Sequence, residues 1–208
     1  MPHDAHHHEE HEALVIEDEA GNIEAQIIVN ALEKVLIGKG LLTAHEVTAA
    51  IAKLESPGIH LGAKVVAKAW TDPAYKARLL ADGRAAVQEL DIPVTEARII
   101  VVENTPTRHN LITCTLCSCY PRSILGQPPS WYISKAYRAR SVREPRSVLS
   151  EFGLNLPLEV QLDVHDSNAD MRYLVLPEPP ADLASYDIAA LEAKISRDHL
   201  IGVARHVG

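Results

Sequence analysis

Every cysteine of this chain falls inside one short run, Cys114-Thr115-Leu116-Cys117-Ser118-Cys119. No other cysteine exists to pair with them. A Cys117–Cys119 disulfide would close a very tight ring against the preferred bridge geometry and would strand Cys114. Three soft sulfur donors in one loop suit a metal better than a disulfide framework. A zinc site would need a fourth ligand, with His109 nearest in sequence. An iron–sulfur cluster normally wants four thiolates. Buried thiols can also act as small hydrophobes, but clustering counts against that reading.

The spacing offers more than sulfur. In Cys117-Ser118-Cys119 the backbone crosses directly under a metal held by both side chains. The amide nitrogens of Ser118 and Cys119 would lie within bonding reach, each closing a small chelate ring. A peptide N–H gives up its proton only to a strong Lewis acid, so the spacing favours a trivalent ion over zinc. Three sulfurs and two nitrogens leave one octahedral position open, which a hydrolytic metal needs to bind water or polarise a substrate.

The run from Cys114 to Pro121, Cys-Thr-Leu-Cys-Ser-Cys-Tyr-Pro, resembles the metal loop of the nitrile hydratase alpha subunit. Agreement continues upstream in Val102-Glu103-Asn104-Thr105-Pro106 and His109-Asn110. Downstream it includes Leu125-Gly126, Pro128-Pro129, Trp131-Tyr132, Tyr137-Arg138-Ala139-Arg140 and Val142-Arg143-Glu144-Pro145-Arg146. It ends with Asp166-Ser167, the run from Arg172 to Pro177, and Ile201-Gly202-Val203. The resemblance covers about residues 60–205. The gamma subunit of thiocyanate hydrolase belongs to the same superfamily and carries the same loop.

The resemblance implies roles for the matching positions. Cys114 would be the axial thiolate, Cys117 a sulfinic acid and Cys119 a sulfenic acid, with Ser118 and Cys119 adding amide nitrogens. These states lie on the first rungs of thiolate oxidation. Thr115 is the residue type of cobalt members, where iron members usually carry serine. One Co(III) per chain is therefore expected, ahead of Fe(III). Cys119, Ser118 and Arg122 are the candidate catalytic residues. Implied partners are a beta subunit, a small nitrile and a metallochaperone.

Two departures from the family pattern stand out. Arg122 stands where nitrile hydratases often carry Trp, and with Gln127 it resembles thiocyanate hydrolase. An arginine there would attract an anion. The Gly-Pro-Gln-Gly-like stretch before the Glu-Asn-Thr strand is replaced by residues Asp91 to Glu96.

Composition bounds the rest. A chain of 208 residues can hold a one-domain core plus an arm. A net charge of −8 argues against nucleic acid and anionic membrane partners. No long apolar run or signal peptide is visible, so a cytoplasmic protein is expected. One Phe, two Trp and six Tyr leave the core to aliphatic residues. Five of the eleven histidines crowd the start, between His3 and His11, as a solvated or metal-gathering tail.

Ile27, Ile28, Ala31, Leu32 and Val35 mark one face of a first helix. Thr43 and Glu46 signal a capping box for a second. Gly62 to Trp70 forms a third, and Asp72-Pro73 starts a fourth that runs toward Leu90. Arg98 to Glu103, Val160 to Val164 and Arg172 to Leu176 read as strands. Helices are expected at Pro145–Gly153 and at Ile188–Ile195, the last. The expected fold is α+β: a tail at 1–20, a helical arm at 21–92 and an α-β-β-α metal-binding domain at 93–208. Three activities stay open: nitrile hydration at a non-corrin cobalt centre, thiocyanate hydrolysis, and metal storage or transfer without turnover.

Overall fold

The computed structural model describes residues 23–205 and 207; the tail at 1–20 lies outside the described residues. Helix α1 spans Ile23–Gly38 and α2 spans Ala44–Glu55. The capping box forms as expected: Glu46 N donates to Thr43 Oγ1 at 3.1 Å, and Thr43 N donates to Glu46 Oε2 at 2.8 Å. Neither helix buries a single residue. Ile27, Ile28, Leu32 and Val35 all stay exposed, as does Leu54 on α2.

The segment behaves differently from Ile59 onward. Helix α3 (Ile59–Thr71) buries Val65, Val66, Ala67 and Trp70 in the same core as Leu111, Leu174 and Leu200. Gly62 lets α3 approach closely, since a Cβ there would sit 2.6 Å from Leu200 and 2.7 Å from Leu125. The helix expected from Asp72 to Leu90 is two helices, α4 (Pro73–Ala81) and α5 (Gly83–Gln88). Asp82 breaks it. Its backbone is extended, and its side chain accepts from Ala85 N at 3.0 Å to cap α5.

Among the described residues four strands make two parallel pairs. β1 (Arg98–Glu103) pairs with β4 (Met171–Leu176), and β2 (Arg108–Thr113) pairs with β3 (Gln161–Asp166). A tight turn through Pro106 and Thr107 joins β1 to β2, with Thr105 and Arg108 exchanging backbone hydrogen bonds. Between the strands lie α6 (Arg122–Leu125), α7 (Ser130–Ile133), α8 (Lys135–Arg143) and α9 (Pro145–Glu151). After β4 come a 3-10 turn at Leu183–Ser185, α10 (Ile188–Lys194) and a further helix, α11 (Arg197–Ile201). The order of helices and strands is the α+β arrangement expected.

A buried polar network joins the strands. Asn104 Oδ1 accepts from Asn110 N at 2.8 Å and from Asn110 Nδ2 at 2.9 Å. The Gly202 carbonyl can only accept, so His109 Nε2 carries the proton in their 2.7 Å contact. Gly202 ends α11 at φ +89, and a Cβ there would lie 1.9 Å from the Asn110 carbonyl oxygen. Only glycine allows both the left-handed backbone and this approach to β2. Among the described residues no helix is long and apolar enough to cross a membrane.

Candidate metal centre

The parallel register of β2 and β3 builds the site. It sets Thr113 opposite Asp166, so both strands end side by side. The chain leaves β2 as Cys114, fully buried, while the Asp166 carboxylate stands beside the next residue. Asp166 Oδ1 accepts from Thr115 N at 2.9 Å, and Oδ2 accepts from Thr115 Oγ1 at 2.5 Å. Ser167 N donates to the Thr113 carbonyl at 2.8 Å and extends the ladder past the strand end.

The loop then curls over its own first sulfur. Cys117 N donates to Cys114 Sγ at 3.3 Å. Cys114 Sγ and Cys117 Sγ lie 3.6 Å apart, and Cys117 Sγ and Cys119 Sγ lie 3.2 Å apart. All three sulfurs fall within 4.8 Å of one another, and none is in a disulfide. Metal–sulfur bonds of about 2.3 Å put neighbouring sulfurs roughly 3.3 Å apart at right angles and roughly 3.8 Å apart in a tetrahedron. The 3.2 Å pair therefore matches right-angled donors, while the 3.6 Å pair falls between the two geometries. His109 is not the fourth ligand of a zinc site: it is buried, and its ring is engaged by Asn104 and Gly202.

Side chains on α7 and α8 hold the loop's carbonyls. Tyr132 Oη donates to the Cys119 carbonyl at 2.8 Å, and Arg138 Nη1 donates to the Cys117 carbonyl at 2.8 Å. Tyr137 Oη reaches the Ile112 carbonyl at 2.6 Å, just before the loop. Tyr120, Trp131, Tyr132, Tyr137 and Phe152 stack edge to face behind it, with Tyr120–Tyr132 and Trp131–Tyr137 centroids 5.0 Å apart. A chain poor in aromatics places most of its rings in this backing, where rigid shape matters most. Burial raises the Tyr132 and Tyr137 phenols above their usual range, so both remain donors.

Before metal is bound the sulfurs are not equivalent. The hydrogen bond with Cys119 holds the exposed Cys117 thiol below its ordinary value. Burial, then the hydrogen bond with Cys117, pushes Cys119 up to about 12. Cys117 thus becomes a thiolate before Cys119.

Cys117, Ser118 and Cys119 lie in the wall of an open cavity of about 530 Å³, together with Arg122, Arg172 and Glu96. Arg122 sits at the start of α6 and faces this cavity. Its guanidinium makes no hydrogen bond or ion pair with any described residue. Glu96, 9% exposed, accepts from Ser123 N at 3.0 Å through Oε1. Arg172 donates to the Asn168 carbonyl, and its positive charge lowers the Cys119 thiol against the larger effect of burial.

The family profile for nitrile hydratase, alpha chain, matches residues 23–204. The chain belongs to the nitrile hydratase alpha-chain family. It is 44% identical over 185 residues to the low-molecular-weight cobalt-containing nitrile hydratase subunit alpha of Rhodococcus rhodochrous, covering 88% of this chain and 89% of that one. It is also 40% identical over 191 residues to the thiocyanate hydrolase subunit gamma of Thiobacillus thioparus, covering 86% and 79%. A double histidine mutant of the Fe-type nitrile hydratase from Comamonas testosteroni Ni1 superposes with a TM-score of 0.81 at 43% identity, covering 88% and 91%.

Several residues around the nitrile hydratase loop escaped reading from sequence. Asp166, Tyr132 and Arg138 were visible as motif members, but their grip on the loop depends on strand register and helix placement. Two further motif arginines serve the fold: Arg140 pairs with Glu144 at 2.7 Å and also with Glu151, and Arg146 Nη1 donates to the carbonyls of Leu156 and Pro157. Glu103, another carboxylate that could suggest a base, pairs with Lys76.

Proposed function

We propose that this chain is the metal-bearing alpha subunit of a nitrile hydratase, adding water to a C≡N bond to give the amide. The reading rests on one observation: three sulfurs converge, those of Cys117 and Cys119 at the wall of an open cavity, in a chain of this family. Cys114, Cys117 and Cys119, with the amide nitrogens of Ser118 and Cys119, would hold one non-corrin Co(III). When bound, the ion supplies a Lewis acid that polarises the nitrile or activates water. Thr115 and the cobalt-containing Rhodococcus relative favour cobalt, while the Fe-type neighbour has the same fold around iron.

The chain's own residues do the rest. Cys117 is proposed to be oxidised to the sulfinic acid and Cys119 to the sulfenic acid by an external oxidant such as dioxygen, and the sulfenic oxygen acts as nucleophile or base. Asp166, Tyr132 and Arg138 hold the loop so that the sulfurs keep one arrangement. Arg122 and Arg172 make the cavity favourable for developing negative charge.

A beta subunit is the proposed partner, and a metallochaperone the proposed source of the ion. The apolar faces of α1 and α2 support a partner, since Ile23 is 76% exposed and Leu54 65% exposed. A reducing, cytoplasmic setting belongs to the same reading, because the thiols must stay unpaired until metal arrives.

The test is to produce the chain with cobalt and its partner subunit. Elemental analysis should find one cobalt per chain. Mass spectrometry of the loop peptide should find oxygen on Cys117 and Cys119 and none on Cys114. Full activity from the isolated chain, or an active enzyme with three unmodified thiols, would refute the reading. Arg122, Gln127 and the Thiobacillus relative favour thiocyanate as a second reading, and turnover of thiocyanate without any nitrile would put it first. Storage without turnover has no use for an open cavity beside the sulfurs.

A further inference from the structure

The cavity beside the sulfurs holds an uncommitted positive charge. Arg122 and Arg172 both line it. Arg172 has local work: it donates to the Asn168 carbonyl. Arg122 has none, as its guanidinium meets no acceptor among the described residues. A carboxylate also lines the cavity, and its Oε2 meets no hydrogen-bond partner among the described residues. Glu96 is turned to Ser123 N at 3.0 Å, and no ion pair joins it to Arg122. A planar fork of donors, open to the cavity and unpaired, matches a carboxylate better than an alkyl group.

We infer that Arg122 is a specificity residue and that this cavity favours small nitriles carrying a carboxylate, such as cyanoacetate. The inference rests on the nitrile reading above. The C≡N group is presented to the sulfur side of the cavity and the carboxylate is held by Arg122. Water adds across C≡N, its oxygen bonding to carbon and its two hydrogens ending on nitrogen, so cyanoacetate gives malonamate. The carboxylate is unchanged in the reaction. Its bond to Arg122 therefore acts on binding, and the effect belongs chiefly in KM.

The experiment compares cyanoacetate with cyanoacetamide, nearly the same shape without the charge, on the cobalt-loaded enzyme assembled with its partner subunit. Wild type should favour cyanoacetate in kcat/KM. In Arg122→Gln that ratio should fall about tenfold, mostly through KM, as expected for one charge-assisted contact in a partly open site. Arg122→Lys should keep part of the preference, and added salt should erode it in wild type. Calorimetry should show malonamate binding weakened by Arg122→Gln. An unchanged ratio in Arg122→Gln, or a wild type that prefers cyanoacetamide, overturns this inference and leaves nitrile hydration intact. Turnover of thiocyanate with no hydration of either nitrile overturns both.

Discussion

Replacing Asp166 with alanine should loosen the metal loop while leaving the fold in place. The carboxylate makes two hydrogen bonds to one residue, 2.9 Å to Thr115 N and 2.5 Å to Thr115 Oγ1. A hydrogen bond to a charged group contributes about 1.5–3 kcal/mol when sheltered. Asp166 is exposed, so about 1 kcal/mol for each bond is the better figure. Together they contribute about 2 kcal/mol to holding Thr115, and with it the sulfurs on either side. Binding draws on that order, so the loss should appear as a roughly thirtyfold weaker metal affinity. Asparagine keeps one acceptor oxygen and should cost about fivefold. The assay is competition between a chelator and the reduced chain for Co(II), alongside a thermal melt of the metal-free chain. Affinity should fall while the melting temperature moves by only a few degrees. Thr115→Val removes the hydroxyl bond alone, and in combination with Asp166→Ala it should add less than its separate effect. Equal Co(II) affinity in wild type and Asp166→Ala would refute the reasoning. So would a loss of affinity that follows only from global unfolding.

Tyr132→Phe keeps the stacked ring but strands the Cys119 carbonyl, and should cost about 1–2 kcal/mol in a denaturant melt. Gly202→Ala should cost more than about 3 kcal/mol or prevent soluble production, because a Cβ would lie 1.9 Å from the Asn110 oxygen at φ +89. Alkylation of the metal-free chain across a pH series should label Cys117 first as the pH rises. Cys119 should follow only at high pH, since burial keeps its thiol protonated up to about 12; labelling in the reverse order would contradict the assignment.

The chemistry of this protein was legible in one dimension because its donors are neighbours along the chain. Cys114, Cys117 and Cys119 need no long-range contact to reach one ion, and Ser118 and Cys119 bring their amides by covalent connection. The helices at 44–55 and 73–81 were legible for the same reason, since Thr43 and Asp72 cap donors only three residues ahead. Such interactions depend on spacing and little else. The break at Asp82 was legible only in retrospect, because a capping aspartate in a run of helix formers competes with continuation and tertiary contact decides the outcome. Asp166 is a different case. It lies 51 residues beyond Thr115, and it meets the loop because β2 and β3 pair in parallel with Thr113 opposite Asp166. A shift of one residue in that register would turn the carboxylate to the other face of the sheet. Arg122 is similar. Its identity raised the matter of an anion, but whether it pairs or stays open depends on where Glu96 points, and Glu96 is held by Ser123 N, 27 residues further along the chain. Local order could be read from adjacent residues; the company each charged group keeps is set by strand pairing and helix packing across many tens of residues.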